Sequence, residues 1–303
     1  MAAALPDGVG YMSVRQVAAY LQLNEKKIYS LVNEGRIPAT RITGKWMFPQ
    51  ELVDRWLLDS AHGGVMTDRL IIAGSDDPLL FRIINQFARD TASHALLCYT
   101  PTGTRLGLEL LQARRVDACG LHWGPDSESH SRHPALMSQF AHFHDWVLIR
   151  AFQREHGLIV APGLISQVKD KTDLFAPTWR WAQRQPGAGA QRLLLELLGK
   201  QRIDPETLTT SVTALSEREA ASAIAMHQAD VAPGIRAAAT EFGLAFIPCG
   251  WEAFDIALPR RIWFRRLFQD LLARIKSEPC AELATSFGGY DLSAAGELVW
   301  GDE

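Results

Sequence analysis

The sequence predicts an α/β protein in two parts, a small helical module ahead of a larger body with a parallel sheet. Three observations predict it. From residue 68 onward strand-like segments alternate with amphipathic helical ones, the pattern of a sheet covered on both faces. Residues 11 to 58 instead hold short helical patterns and a basic, strand-like hairpin. The charge divides at the same place, with seven Lys or Arg against four Asp or Glu in residues 11 to 58, and 24 against 30 elsewhere. A cationic module on an acidic body points to a polyanionic partner for the module alone.

The 303 residues are 47% hydrophobic, which suits a packed globular chain rather than a disordered one. Cys98, Cys119, Cys249 and Cys280 form no CxxC pair, so they read as small buried thiols in a reducing compartment. No apolar run approaches the roughly 18 residues that span a bilayer. The opening MAAALPDGVG lacks the basic start and apolar core of a signal peptide. The expected location is the cytoplasm, with no membrane partner.

In SVRQVAAYLQLNEKKIYSLVNEG two helical patterns carry their own punctuation. Ser13 caps a first helix with the apolar face Val14, Val17, Ala18 and Leu21, and Asn24 caps a second with Ile28, Leu31 and Val32 inward. Gly35 stands where the second helix needs a left-handed residue to stop. Only Gln22 and Leu23 separate the helices before the Asn24 cap, which outlines a helix-turn-helix. Lys26, Lys27, Ser30 and Asn33 share the outward face, the donor types that base edges and phosphates accept. Tyr29 either packs inward beside Leu31 or offers its hydroxyl to a phosphate. The following GRIPATRITGKWMF carries Arg36, Arg41 and Lys45 and no acid. Ala39 to Ile42 and Trp46 to Phe48 read as short strands joined at Thr43 and Gly44, a basic wing able to lie along a sugar-phosphate backbone. Pro49 then opens a third helix, PQELVDRWLL.

From Ser13 to Leu57 the chain resembles the excisionase-type branch of the MerR-like winged helix-turn-helix proteins. The resemblance implies a double-stranded DNA operator as partner. The candidate DNA-binding residues are Arg15, Lys26, Lys27, Tyr29 and Ser30 with Arg36, Arg41, Thr43 and Lys45 of the wing.

Asp59 to Thr67 (DSAHGGVMT) has the composition of a linker, which sets expected boundaries at 11–58, 59–67 and 68–303. The body then runs RLIIAG, PLLFRIINQFARD, HALLCYT, TRLGLELLQARR and ACGLHW, strand and helix in turn. It resumes with DWVLIRAF, TWRWAQ, QRLLLELLGKQ, a helix across Glu217 to Gln228, ADVAPG, RAAATEFG and LAFIPCG. The basic amphipathic helix IWFRRLFQDLLARIKS and a polar tail close the chain. Three helix starts look equipped for an anion: Ser75 after Gly74, Thr102 and Thr104 around Gly103, and Gly187 with Gly189 ahead of Arg192. Backbone amides at such starts point at whatever docks there. If all three faced one cleft they would form an anion cradle.

Residues 68 to 300 resemble the periplasmic-binding-protein-like domain found behind helix-turn-helix modules in bacterial regulators, related to molybdate and tungstate binders. The likeness rests on the Gly74-Ser75 loop, Thr102 to Thr104, GLHW, RQPGAGAQRLLLELL and ADVAPGIRAAATEFGLAFIPCGWEAFDIAL. It implies a two-lobed type II fold, with lobe I at about 68–145 and 235–303 and lobe II at about 146–234. The chain would cross near His144 to Arg150 and return near Ala232 to Arg236. It also implies a small anionic effector and no cofactor. The candidate contacts are Ser75, Asp76, Thr102, Gly103, Thr104, His122, Gln185, Ala188, Gly189 and Arg192. Relatives carry hydroxyl residues where this chain has Ala188 and Ala190, which weakens the case for a tetrahedral oxyanion and leaves room for a flatter anion such as formate.

Catalytic and metal patterns are poorly supported. His130, His133, His142 and His144 crowd one region without an acid or cysteine to complete a site, so they read as exposed histidines of a polar loop. GAGAQR has Arg192 where a dinucleotide fingerprint needs its third glycine, and GxxxxGK[ST] and GxSxG are missing. Trp179 and Trp181 read as core or lobe-interface filling. The whole reads as a one-component, non-enzymatic transcription regulator, acting as a homo-dimer or homo-tetramer. Two other readings stand beside it, an architectural excisionase-like DNA bender and an anion-capturing enzyme of molybdenum cofactor metabolism.

Overall fold

The computed structural model describes residues 10–35, 37–42, 44–60 and 68–301. Arg36, Thr43 and most of the expected linker lie outside the described residues. The chain divides into two compact units, Met1–Asp68 and Arg69–Glu303.

In the first unit, β1 (Tyr11–Ser13) leads into α1 (Val14–Tyr20), followed by α2 (Glu25–Asn33), β2 (Thr40–Ile42), β3 (Lys45–Pro49) and α3 (Gln50–Ser60). Ser13 caps α1 through a reciprocal pair with Gln16, and Asn24 Oδ1 accepts from the Lys27 amide at 2.7 Å to start α2. Gly35 takes the left-handed conformation past α2, at φ 64°. Val17, Ala18, Ile28, Leu31, Val32, Phe48 and Val53 form the core. A unit this small buries a modest share of its surface, so each cap counts, at about 1 kcal/mol. The Tyr20 hydroxyl donates to Asp54 Oδ1 at 2.6 Å and ties α1 to α3. The sheet order is β1-β3-β2, so the expected two-stranded wing has a third strand. Tyr11–Ser13 is too short to show a strand period and is held by pairing with Met47–Pro49.

The second unit opens with β4 (Asp68–Gly74), α4 (Pro78–Thr91), β5 (Ala95–Pro101), α5 (Thr104–Gln112), β6 (Ala118–Leu121) and α6 (Ser129–Met137). Next come β7 (Trp146–Val160), β8 (Arg180–Arg184), α7 (Gly189–Gln201), β9 (Thr209–Ala214), α8 (Glu217–Ala225), β10 (Val231–Ile235) and α9 (Arg236–Glu241). The end holds β11 (Ala245–Pro259), α10 (Arg260–Trp263), α11 (Arg266–Ile275), α12 (Glu278–Phe287), β12 (Tyr290–Asp291) and β13 (Leu298–Trp300). One sheet runs β5-β4-β6-β11-β7-β10-β8-β9. Its two halves repeat one pattern, three strands and then the antiparallel β7/β11 pair, entered from opposite sides. The two lobes are these halves, and β7 and β11 belong to both.

The register fixes where the chain changes halves. β11 pairs with β6 at Asp255–Ala257, and β7 pairs with β10 at His156–Val160. The crossing therefore lies between Gln153 and His156, and the return between Pro248 and Glu252. The expected points, near His144 to Arg150 and Ala232 to Arg236, are displaced. β10 stays in the second half between β7 and β8, and sequence pattern does not say which of two consecutive apolar strands makes the return. Three other segments differ from expectation. The histidine-rich segment is helical in α6, the basic helix breaks into α10 and α11 around Phe264, and the polar tail contains α12. Each gains its helical state from packing, as with Cys280, Ala284 and Phe287 of α12 against the main core.

Candidate functional site

In the first unit Lys26, Lys27, Tyr29 and Asn33 of α2 are exposed while Ile28, Leu31 and Val32 are buried, so the basic face looks outward. Tyr29 is thereby placed on the outer face, at 46% exposure. The Ser30 hydroxyl donates to Glu34 at 2.5 Å. Arg15 and Lys45 are exposed, and Arg41 lies over the Trp46 ring at 5.6 Å with Nε donating to Gly44 O at 3.3 Å. The strand-and-turn geometry thus holds one cation at the wing. Of the nine candidate residues, Arg36 and Thr43 fall outside the described ones.

In the second unit the strand ends of both halves converge. Gly74 ends β4 at φ 114°, where a Cβ would lie 2.1 Å from Gly120 O, so only glycine fits. This close approach lets Gly74 O accept from the amides of Thr102 and Gly103. The Ser75 and Thr104 hydroxyls pair at 2.8 Å, and Thr102 Oγ1 accepts from the Gly74 amide at 3.0 Å. These hydroxyls, expected to meet a ligand, knit the two loops to each other. The helix start after Ser75 differs as well, because Asp77 caps α4 by accepting from the Leu80 amide at 2.9 Å. A carboxylate at an N-cap satisfies the amides an anion would need.

The other two helix starts keep their amides. The N-cap positions of α5 and α7 are Gly103 and Ala188, and neither supplies a side-chain acceptor. The first in-helix bonds to the caps come from Gly107 and Arg192, which leaves the amides of the first turns pointing outward. The two starts lie together: a Cβ on Gly103 would meet Gln185 Nε2 at 3.1 Å, and one on Gly187 would meet the Arg105 Cβ at 3.3 Å. Between them opens a cleft of about 250 Å³ lined by Thr102, Gly103, Arg105, Leu106, Gln185 and Ala188 among others. Arg105 reaches it from α5, paired with Glu109 at 3.2 Å, and Arg192 of α7 lies near enough that the Arg105 charge, after burial, lowers the Arg192 value. Arg192 and Arg132 each lie 5.1 Å from the centre of the Trp123 ring, and Arg132 crosses to Glu196 of α7 at 3.1 Å.

Behind the cleft lies a buried charge network that sequence reasoning missed. Arg154 of β7, 1% exposed, donates to Glu252 Oε1 at 2.8 Å, Asp77 Oδ2 at 3.0 Å and Asp76 O at 2.8 Å. Its remaining arm donates to His122 Nδ1 at 3.0 Å, which places the His122 proton on Nε2. His122 Nε2 faces the start of α7, where a Cβ on Gly189 would sit 2.0 Å away, and it has no hydrogen-bond partner among the described residues. Burial pushes His122 down to about 3, against the pull of Glu252. Burial opposes the Glu252 charge, yet the His122 ring edge, Arg154 and His156 hold this carboxyl below its ordinary range. Burial also works against Arg154, and Glu252 with Asp77 outweighs it. Arg184 of β8 pairs with Glu217 Oε1 at 2.9 Å, and burial raises Glu217 despite that neighbour.

His133, expected on a surface loop, is 0% exposed: Nδ1 donates to Asp255 Oδ2 at 2.6 Å, and Nε2 accepts from the Trp123 amide at 3.0 Å. It anchors the segment that carries His122. Among the described residues no cluster of His, Cys, Asp and Glu is placed to hold a metal, and no helix is long and apolar enough to cross a membrane. A signal for the network did exist, since Arg150, Arg154, Glu252 and Asp255 stand inside otherwise apolar strands, where unpaired charge is costly.

Two outcomes are expected. Arg154→Met strands Glu252 and Asp77 without their cation and lowers unfolding stability by about 3–5 kcal/mol in chemical denaturation. His122 stays neutral with its proton on Nε2 from pH 7 to pH 4 by ring nitrogen NMR. Because its value falls from 6.5 to about 3 in the fold, its contribution is complete above the unfolded value and is lost as pH drops toward 3.

Residues 11–60 match the family model of a helix-turn-helix domain, and residues 85–276 that of the PBP superfamily domain. The chain is 20% identical over 304 residues to the uncharacterized protein YvgK of Bacillus subtilis (strain 168), covering 95% of this chain and 97% of that one. A Clostridium perfringens ABC-transporter-type substrate-binding protein, solved with bound phosphate, superposes with a TM-score of 0.50 at 10% identity, covering 73% of this chain and 98% of its own. The regulatory domain of CcmR from Synechocystis PCC6803, in complex with 2-PG, reaches 0.49 at 12% identity over 69% of this chain and 95% of its own. At 10% identity the likeness to the Clostridium perfringens protein speaks for the fold alone. The repeated half-sheet pattern, the crossing pair β7/β11 and the family match agree, and the chain belongs to the PBP superfamily, with a helix-turn-helix domain at its N-terminus.

Proposed function

We propose that this chain is a cytoplasmic one-component transcription regulator: residues 11–58 bind an operator, 59–67 link, and 68–303 sense a small anion. One observation supports the sensing role above the rest. Two helix starts without side-chain caps, α5 and α7, meet at a cleft lined by Arg105, which pairs there with Glu109 at 3.2 Å, with the His122 Nε2 proton directed at α7. Two macrodipole ends on opposite halves favour negative charge between them. The anion classes that fit are the oxyanions of the molybdate and tungstate type and short carboxylates such as formate. No cofactor and no catalytic step are needed for this role.

Ligand bound between α5 and α7 touches both halves of the sheet at once, so it stabilises the closed arrangement by its differential affinity for it. In an oligomer that closure changes the spacing of the DNA-binding modules. A single module of this size makes few phosphate contacts and binds weakly at physiological salt, which favours a dimer or tetramer on paired half-sites.

A thermal-shift screen against sulfate, phosphate, molybdate, tungstate, formate and short carboxylates tests the sensor reading. At least one raises the melting temperature of the second unit, and the double variant Arg105→Ala, Arg192→Ala loses that rise. A panel that moves neither protein refutes the anion site. For the DNA reading, a duplex selected by the wild-type chain from a random library is retained in a gel shift, and the complex sediments with two or more chains. Lys27→Glu weakens retention at least about tenfold at 0.1 M salt; equal retention places the reading surface elsewhere.

A further inference from the structure

Gly189 is the first residue of α7, a position where alanine would serve the helix better. Its backbone does not call for glycine either, because its φ is not positive. The space beside it does. A Cβ at 189 would lie 2.0 Å from Nε2, 2.2 Å from Cδ2 and 2.8 Å from Cε1 of His122, closer than carbon atoms pack. His122 follows β6 in the first half of the sheet and α7 follows β8 in the second, so this is a contact between the halves.

The ring has little room to yield. It is 3% exposed, its Nδ1 accepts from Arg154, and it stacks on Phe254 with ring centres 6.3 Å apart at 19°. Arg154 is itself tied to Glu252, Asp77 and Asp76 O, so a push on His122 is resisted by the strands that join the halves. The start of α7 is held as well. Gln191 Oε1 accepts from the Arg184 amide at 2.9 Å, and Leu194 and Leu198 are buried in the core of the second half. Other contacts between the halves run through long side chains that can follow a movement: Arg132 to Glu196, Arg192 to Trp123, and Arg218 to Phe81 at 4.4 Å. A ring seated on a bare Cα cannot.

Resting on the closure of the two halves described above, we propose that His122 and Gly189 form the stop that sets how far the halves close, with glycine at 189 the condition for closure. The ring against the bare Cα keeps the starts of α5 and α7 together at the cleft. A methyl at 189 overpacks that contact, and parting the halves where β7 and β11 cross relieves it without disturbing either core. Gly189 is thus a positioning residue, acting through the angle between the halves.

Paired spin labels read that angle. Gln139 in the first half and Glu206 in the second are exposed, and Gln139→Cys with Glu206→Cys is labelled in a full-length chain that carries Cys98→Ser and Cys249→Ser. Dilution with excess unlabelled chain confines the reading to pairs within one chain. Gly189→Ala lowers the population at the wild-type distance at least about tenfold in favour of a longer one. His122→Ala added to Gly189→Ala restores the wild-type distance, since the methyl then takes the place of the ring. An unchanged distance in Gly189→Ala overturns the proposal, and so does a longer distance that the second substitution fails to reverse. Should Gly189→Ala unfold, the halves do not part to relieve the contact, and the proposal is overturned as well. If the double variant does not fold, the distance in Gly189→Ala decides alone. An anion panel without effect removes the sensor reading and leaves these distances as they are; unchanged distances remove the stop and leave the anion site.

Discussion

The pairing of Arg154 with Glu252 is the constraint around which the second unit is arranged. The two residues face each other across β7 and β11, and Arg150 faces Asp255 one stretch further along the same pair. Opposite charges in register on two central strands make any slip expensive, because a shifted ladder would bury both signs apart. The same guanidinium reaches Asp76 and Asp77 after β4 and His122 after β6, so the loops that shape the cleft are held by the strands that join its halves. The cleft loops are therefore coupled to the place where the chain crosses between halves.

That arrangement accounts for the acidic side chains gathered behind the cleft. Asp77 and Glu252 are consumed by Arg154, and Glu217 is half consumed by Arg184. At the cleft itself Arg105 pairs with Glu109 at 3.2 Å, and the first turns of α5 and α7 carry amides without side-chain caps. Neutral His122 adds a directed N–H, and no net charge. Buried ion pairs fix the shape behind the cleft, and uncapped backbone amides stand at the starts of α5 and α7.

The first unit solves a smaller problem with local means. Its caps at Ser13 and Asn24, the turn at Gly35 and a core centred on Val17, Ile28 and Phe48 hold α2 and the hairpin, while Lys26, Lys27, Arg41 and Lys45 take no part in that core. Fold and candidate contacts use separate faces of the same short elements. That separation is why periodicity marks the buried face of α2.

What the sequence determined by itself was everything governed by neighbours a few residues apart. The helix-turn-helix outline, the caps, the alternation of strands and helices and the glycine-marked helix starts at Gly103 and Gly189 all follow from local sterics and periodic burial. Thr102 and Thr104 show the limit of such reading, since a hydroxyl at a helix start looks the same whether it meets a ligand or, as here, a loop from another strand. Tertiary structure alone decided that β11 rather than β10 makes the return, that His133 is buried against Asp255, and that Arg154, Glu252, Arg184 and Glu217 gather behind the cleft. Each of those depends on which strands become neighbours across more than 20 residues of chain. Pairing between distant segments is chosen by the whole packed sheet, and no single segment carries that choice.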